Sequence, residues 1–345
     1  MKYDAKLSIM NRLVGGEIRV CILCGGNSHE REVSLLSGQR VFHALLYKSM
    51  LLPSISERLR ITSDIKIQAE LFTWDGDALS LIQKLQSEEY TCVFNALHGG
   101  SGENGAVQSI LNMIRMPYTG SGSVSSMLGM HKNVQYDLLK QFGVRIPRYA
   151  VCTPNELNDI PLPFVLKPIS DGSSFGVALI RSKKELGSYL AQFFEVNPAW
   201  GDISLEQRLM VSEYISGREL TVAVLDSVGV SACALEVTDI IFDAEIFSYE
   251  QKYKDKSVAH CLPANIPVAI REEALRTSEL AHVSLGCRGI TRCDYRFDGE
   301  NLYFLELNTL PGMTSVSLAP EQAAFCGIGY EDLVQQLVVS ARYDS

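Results

Sequence analysis

Along the chain the pattern of apolar and polar positions changes period several times, and each change marks an element. Residues 18–24, "IRVCILC", are apolar and β-branched and predict a buried strand. Gly25 and Gly26 break it, and Ser34 to Leu46 carries the apolar spacing of a helix. "AELFTW" and "TCVFNALHGG" predict further strands, the second ending in a glycine-rich loop, and a helix is expected from Gly105 to Ile114. Such alternation predicts an open parallel α/β sheet with loops gathered at its strand ends. Lys48 to Gln68 has no clear period and is expected to be an insertion.

From His131 the texture shifts. "HKNVQYDLLKQFGV" predicts a helix stopped by Gly143, and "PFVLKPISDGSSFGVALI" predicts two short strands around a Gly/Ser-rich turn. "LMVSEYISGRELTVAVL" predicts two strands around Ser216-Gly217, so this middle section is expected to be α+β and antiparallel. The last third predicts a long helix from Ile270 to Leu285, a hairpin, and a final helix from Glu331 to Ser340.

Composition narrows the partners. With 345 residues, 46% of them hydrophobic, the chain can bury two or three domain cores. Its net charge of -9 argues against nucleic acid or an anionic membrane. A polyanionic ligand would need lysines gathered locally, or a divalent metal. No apolar run approaches the roughly 18 residues of a membrane span, and "MKYDAKLSIMNRLVGGE" lacks the apolar core of a signal peptide. Nine scattered cysteines fit a reducing cytoplasm. Cys21 and Cys24 have C-x-x-C spacing, but residues three apart on a strand point to opposite faces, so no shared metal is expected.

The segment "RGITRCDYRFDGENLYFLELN" predicts a strand, a turn at Asp298–Asn301, and a second strand. There Tyr303, Leu305 and Leu307 alternate with Phe304, Glu306 and Asn308. A buried unpaired carboxylate is costly, so Glu306 calls for a partner. If the turn sets the register, Asp294 faces Glu306, Arg292 faces Asn308, and all four share one face. Two carboxylates and an amide oxygen suit Mg²⁺ with phosphate and water. An ion-pair network of Arg292 with both acids on a solvated face fits the same pattern.

Seven segments in order carry a family resemblance: "CGGNSHEREVSLLSG", "ALHGGSGENG", "PYTGSGS", "LKPISDGSSFGV", "SGRELTV", "EQKYKDK" and "LELNTLPGMTSVSLAP". From about Glu17 to Ala341 the chain resembles the D-alanine–D-alanine ligases of the ATP-grasp superfamily. The resemblance implies an N-terminal open parallel-sheet α/β domain at 1–121, its first sixteen residues a loose extension. It further implies a central ATP-grasp subdomain at 122–213 and a C-terminal one at 214–345. The implied reaction phosphorylates one D-alanine carboxylate with ATP, and the amine of a second D-alanine then displaces phosphate. Two Mg²⁺ or Mn²⁺ ions, a cytoplasmic location and a homodimer are implied with it.

The resemblance also implies roles. Lys132 and Lys167 match the phosphate-binding lysines, and Ser173 and Ser174 lie in the glycine-rich loop over the phosphates. Ser212, Glu213 and Ile215 match the adenine hinge, Glu219 the acceptor for the ribose hydroxyls, and Lys252 a further nucleotide contact. Asp294, Glu306 and Asn308 match the metal ligands. Arg292 and the Gly312 N–H match the donors to the tetrahedral oxygen. Ser317 and the Leu318 N–H match the clamp on the second carboxylate. Glu30 matches the partner of the first ammonium, Ser173 and Tyr253 its hydrogen-bonded neighbours, and His98 a histidine beside the reacting groups. Tyr253 is phenylalanine in related ligases that join D-alanine to D-lactate, so tyrosine here looks like the dipeptide-forming type. Without the family, Glu30 is equally a first-turn glutamate and "SDGSSFG" an ordinary turn.

The chain departs from the family pattern at Asn104, His131, Tyr136, Phe247 and Ser248. A ligase with a D-hydroxy acid as second substrate is one alternative, against which Tyr253 speaks, and these departures motivate a second, a non-catalytic nucleotide-binding relative. The intact lysines and metal ligands weigh against the second.

Overall fold

The computed structural model describes residues 9, 16–59, 64–152, 156–170, 176–196, 209–227, 230–246 and 257–344. Strands β1 (Glu17–Gly25), β2 (Lys66–Trp74) and β3 (Cys92–Asn95) form a parallel sheet in the order β2-β1-β3. Parallel crossovers place helices on both faces, which is why β1 is apolar almost throughout. Helix Arg31–Tyr47 begins three residues before the predicted start and covers one face. Val41, Ala44 and Leu45 pack there on Ile18, Val20 and Ile22. Helices Ala78–Ser87 and Ala106–Met113 cover the other through Leu81, Leu85, Val107 and Leu111. Cys21 and Cys24 fall in these two separate cores, as expected for strand neighbours three apart. Burial pushes the Cys21 thiol up to about 12.

The stretch from Lys48 to Gln68 is not an insertion standing off the fold. Leu51, Ile55 and Ile65 are buried in one core with Leu333, Val334 and Leu337 of the last helix, Tyr330–Val339. The Gln335 amide knits the two together, accepting from the Leu52 N–H at 2.9 Å and donating to the Lys48 and Met50 carbonyls. Ile9, within the segment expected to be loose, is fully buried in the same core and donates its N–H to the Ala341 carbonyl. The chain end also returns to this sheet. The Asp344 carboxylate accepts from Tyr118 Oη, the Asn112 amide, the Ser123 N–H and the Arg288 guanidinium.

Two antiparallel sheets build the rest. Strands β4 (Tyr149–Cys152), β5 (Phe164–Pro168), β6 (Ala178–Ile180) and β7 (Leu209–Glu213) run in the order β4-β7-β5-β6. Strands β8 (Arg218–Ser227), β9 (Val230–Ile241), β10 (Ala259–Cys261), β11 (Ile290–Phe297) and β12 (Leu302–Asn308) run β10-β9-β8-β11-β12. Helix Val268–Ser284 covers the second sheet, with Ala274 and Ala281 on Leu220, Val222, Cys293 and Tyr295. The strands flanking Ser216-Gly217 do not pair with each other, because β7 belongs to one sheet and β8 to the other. Gly217 makes the crossing possible: its φ is +135°, and a Cβ there would lie 2.1 Å from the Phe297 carbonyl oxygen.

Candidate functional site

The hairpin of β11 and β12 positions the chemistry. Arg292 pairs with Asn308 and Asp294 with Glu306, as expected, but the turn alone does not set that register. From the turn, Phe297 pairs with Leu302, Arg296 with Tyr303 and Tyr295 with Phe304. Leu305 is then an extra residue before Glu306 meets Asp294. This β-bulge corrects the simple alternation: Phe304 and Leu307 both lie in the core, while Leu305 and Glu306 both line the cleft. On β11 the alternation holds, with Cys293, Tyr295 and Phe297 in the core and Arg292, Asp294 and Arg296 on the other face.

Around Asp294 the polar groups are closely matched. Arg292 grips its two oxygens from Nε and Nη2, each at 2.8 Å. Thr221 Oγ1, directly across on β8, donates at 2.6 Å, and the Asn308 amide donates at 3.0 Å. Glu306 carries Lys132 Nζ at 3.1 Å. Lys132 opens helix Lys132–Lys140 and is 7% exposed. Lys167, on β5, reaches into the same cleft and donates to Tyr136 Oη at 3.2 Å. Burial first, and the Lys132 charge second, depress the Lys167 ammonium to about 8, with Glu306 and Glu219 partly opposing. Burial pushes the Tyr136 hydroxyl far up, so it stays neutral.

Between the two antiparallel sheets these groups line an open cleft. Ser212, Glu213 and Ile215 of the crossing segment line it, with Glu219 of β8 and the apolar Val165, Val177, Ile246 and Leu305. Apolar walls with a hinge of backbone groups at one end, and two lysines and two carboxylates at the other, suit a base joined to a polyphosphate. A second, smaller cavity opens beside it, lined by Glu103, Met130 and Asn308, and shares Lys132 and Glu306 with the first. A group transferred from one ligand to another would cross at that shared wall.

Glu30 and His98 connect to the second cavity through Glu103. The Glu30 carboxylate, 8% exposed, lies against Gly99, where a Cβ would come within 2.8 Å of Oε2. His98 Nε2 is 2.9 Å from Ser37 Oγ, and Nδ1 is 3.8 Å from Glu103 Oε1. Ser37 Oγ also accepts the Met313 N–H at 3.2 Å, tying the histidine to the Pro311-Gly312 turn. Burial raises the Glu103 carboxyl, with the Glu30 charge adding and His98 opposing. Ser317 precedes helix Leu318–Phe325 without a side-chain cap bond to it, and its Oγ accepts the Thr314 N–H at 2.9 Å. Gly312 leaves no room for a side chain, since a Cβ would fall 2.7 Å from Ser317 Oγ. Ser173, Ser174, Lys252 and Tyr253, like the departures Phe247 and Ser248, lie outside the described residues.

Two departures are absorbed locally. Asn104 Oδ1 accepts the Ala106 N–H at 3.0 Å, capping the helix start much as an aspartate would. Tyr136 holds Lys167, as described. His131 precedes its helix without a side-chain cap. Sequence reasoning passed over Arg296, Ser37, Glu103 and Thr221 as site residues. Arg296 was legible, two positions beyond Asp294 on a strand face. Thr221 was not, because only the β8–β11 pairing brings it to Asp294. Asp294 and Glu306 face each other with Asn308 on the same face, the donor types a hard divalent cation takes, and in this structure Asp294 is paired with Arg292 and Glu306 with Lys132.

Comparison with known proteins agrees with this geometry. A family model described as D-ala D-ala ligase N-terminus matches residues 19–121, and one described as D-ala D-ala ligase C-terminus matches residues 133–339. The chain is 40% identical over 335 residues to a D-alanine–D-alanine ligase of Caulobacter vibrioides, covering 93% of this chain and 92% of that one. It is 37% identical over 332 residues to one of Rhizorhabdus wittichii, covering 94% and 96%. A crystal structure of D-alanine–D-alanine ligase from Bacillus anthracis complexed with ATP superposes with a TM-score of 0.73 at 27% identity, covering 94% of this chain and 97% of that one. With both halves matched in order and the cleft lined by the expected lysines and acids, the chain belongs to the D-alanine–D-alanine ligase family.

Proposed function

We infer that the protein does what its family does: it joins two D-alanine molecules at the expense of ATP, giving D-alanyl-D-alanine for peptidoglycan precursors. The observation that carries the reading is the wall shared by the two cavities, where Lys132 and Glu306 face both. ATP lies in the larger cleft, its adenine against Ser212–Ile215 and Leu305, its ribose hydroxyls on Glu219, its phosphates on Lys132 and Lys167. The first D-alanine occupies the smaller cavity with its ammonium toward Glu30 and its carboxylate toward Lys132, beside His98. Divalent cations held by Asp294, Glu306 and Asn308 supply charge neutralisation for the phosphates.

A carboxylate oxygen of the first D-alanine attacks the γ-phosphorus, releasing ADP and leaving an acyl phosphate. The second D-alanine is held by Ser317 and the Leu318 N–H. Its amine, once deprotonated, attacks the acyl carbon, and the tetrahedral oxygen is met by Arg292 and the Gly312 N–H. Inorganic phosphate leaves with the C–O electron pair. Losing one such donor typically costs about 10²–10³ in rate. Tyr253, which is phenylalanine in related ligases that join D-alanine to D-lactate, favours D-alanine over D-lactate as the second substrate. The division at 121/122 and 213/214, a cytoplasmic setting and a homodimer complete the reading.

Glu306→Gln tests it. Removing the one carboxylate at the shared wall should abolish phosphate transfer, read as ADP release with Mg²⁺ and D-alanine. Near-normal turnover would remove Glu306 from the reaction.

A further inference from the structure

Arg296 is a buried cation in the nucleotide cleft to which neither the family pattern nor the mechanism above gives a role. It is 6% exposed and sits directly across from Glu219 in the β8–β11 pairing. Its guanidinium spans three segments at once. Nε lies 3.4 Å from Glu219 Oε2, Nη1 donates to the Gly217 carbonyl at 2.7 Å, and Nη2 donates to the Glu245 carbonyl. Gly217 is the crossing point between the sheets, and Glu245 precedes Ile246, which lines the cleft. A buried ion pair of this kind adds little stability over apolar side chains of similar volume, since desolvation offsets the Coulomb gain. What it does supply is orientation, because a planar fork bonded in three directions fixes whatever it holds.

We propose that Arg296 is the positioning residue of the ribose site: it locks the Glu219 carboxylate in the orientation that accepts the ribose hydroxyls, and so makes the enzyme demand a ribonucleotide. The inference rests on the assignment of Glu219 to the ribose. The Arg296 guanidinium, 3.4 Å from Oε2, favours one orientation of the carboxylate before ATP arrives. Lysine at this position keeps the charge but cannot reach a carboxylate and two carbonyls together.

The test compares kcat/KM for ATP with that for 2′,3′-dideoxy-ATP in the wild-type enzyme and in Glu219→Gln, Arg296→Met and Arg296→Lys. The wild type should prefer ATP by about tenfold to a hundredfold, the worth of hydrogen bonds to a charged acceptor. All three variants should bring the ratio to within about threefold of unity, with KM for D-alanine unchanged. A general loss of structure lowers both nucleotides alike and leaves the ratio alone, so the ratio separates positioning from folding. If Glu219→Gln loses the preference and the Arg296 variants keep it, the role of Arg296 is refuted and the ribose site stands. Should Arg296→Met fail to fold, a wild-type ratio in Arg296→Lys overturns the proposal by itself. If Glu219→Gln keeps the preference, or the wild type has none, the ribose assignment falls and this inference with it.

Discussion

Lys167→Met is expected to make the protein more stable and inactive. The ammonium is 6% exposed, and burial with the nearby Lys132 charge brings it from 10.5 to about 8. At about 1.36 kcal/mol per pH unit this fall corresponds to about 3 kcal/mol of cost for keeping Lys167 charged in the folded protein. The sign follows from proton counting. Between about pH 8 and pH 10.5 the unfolded chain binds the proton and the folded one has released it, so stability rises with pH through that window. Below pH 8 both states are protonated and the cost is present in full. Methionine, unbranched and of similar length, removes it. The loss of the bond to Tyr136, about 1 kcal/mol, and of one cation near Glu306 and Glu219 takes back part of the gain. The net expectation is a gain of about 1–2 kcal/mol at pH 7, a few degrees in Tm. Thermal unfolding without nucleotide, at pH 7 and pH 9.5, should show the variant ahead at pH 7 and its lead shrinking at pH 9.5. Turnover should fall by about 10² or more, and the stabilisation that ATP gives the wild type should be lost. A variant less stable than wild type at pH 7, or a difference unchanged between the two pH values, would refute the reasoning.

Gly312→Ala places a Cβ 2.7 Å from Ser317 Oγ, so it should lower kcat by about tenfold or more and raise KM for the second D-alanine, measured at saturating ATP. Asp344→Ala removes the acceptor shared by Tyr118, Asn112, Ser123 and Arg288. It should cost about 1–3 kcal/mol in urea unfolding at pH 7. Burial alone would raise the Asp344 carboxyl, but Arg288 and these hydrogen bonds bring it below 3.8. Its contribution is therefore present above that value and fades as pH falls through the lowered one, so the gap between variant and wild type should narrow in acid.

How legible the site was depended on whether local pattern or tertiary pairing placed each residue. The parallel sheet and the hairpin follow from the period of the apolar positions, whereas the opposition of Asp294 and Glu306 depends on the bulge. Yet Glu306 faces the cleft only because Leu305 is bulged out, and nothing in the alternation of Tyr303 to Asn308 announces an extra residue. The segment around Ser216-Gly217 has the composition of a hairpin, and only the sheet assignments reveal a crossing whose backbone lines the nucleotide cleft. Lys48 to Gln68 lacked a single period because its buried residues, Leu51, Ile55, Ile65 and Ile67, span a short helix, a connection and the start of β2, and pack in one core with a helix nearly three hundred residues further on. The His98–Ser37–Met313 contacts likewise join three distant segments through single hydrogen bonds, which leave no periodic trace.

The most direct test of the central claim is phosphate release from ATP and Mg²⁺ with D-alanine, L-alanine or D-lactate supplied, the product identified by mass. The account predicts release that requires D-alanine and yields D-alanyl-D-alanine, with L-alanine inert and D-lactate not incorporated. Release independent of D-alanine, or none at all from a protein that binds ATP, would contradict it.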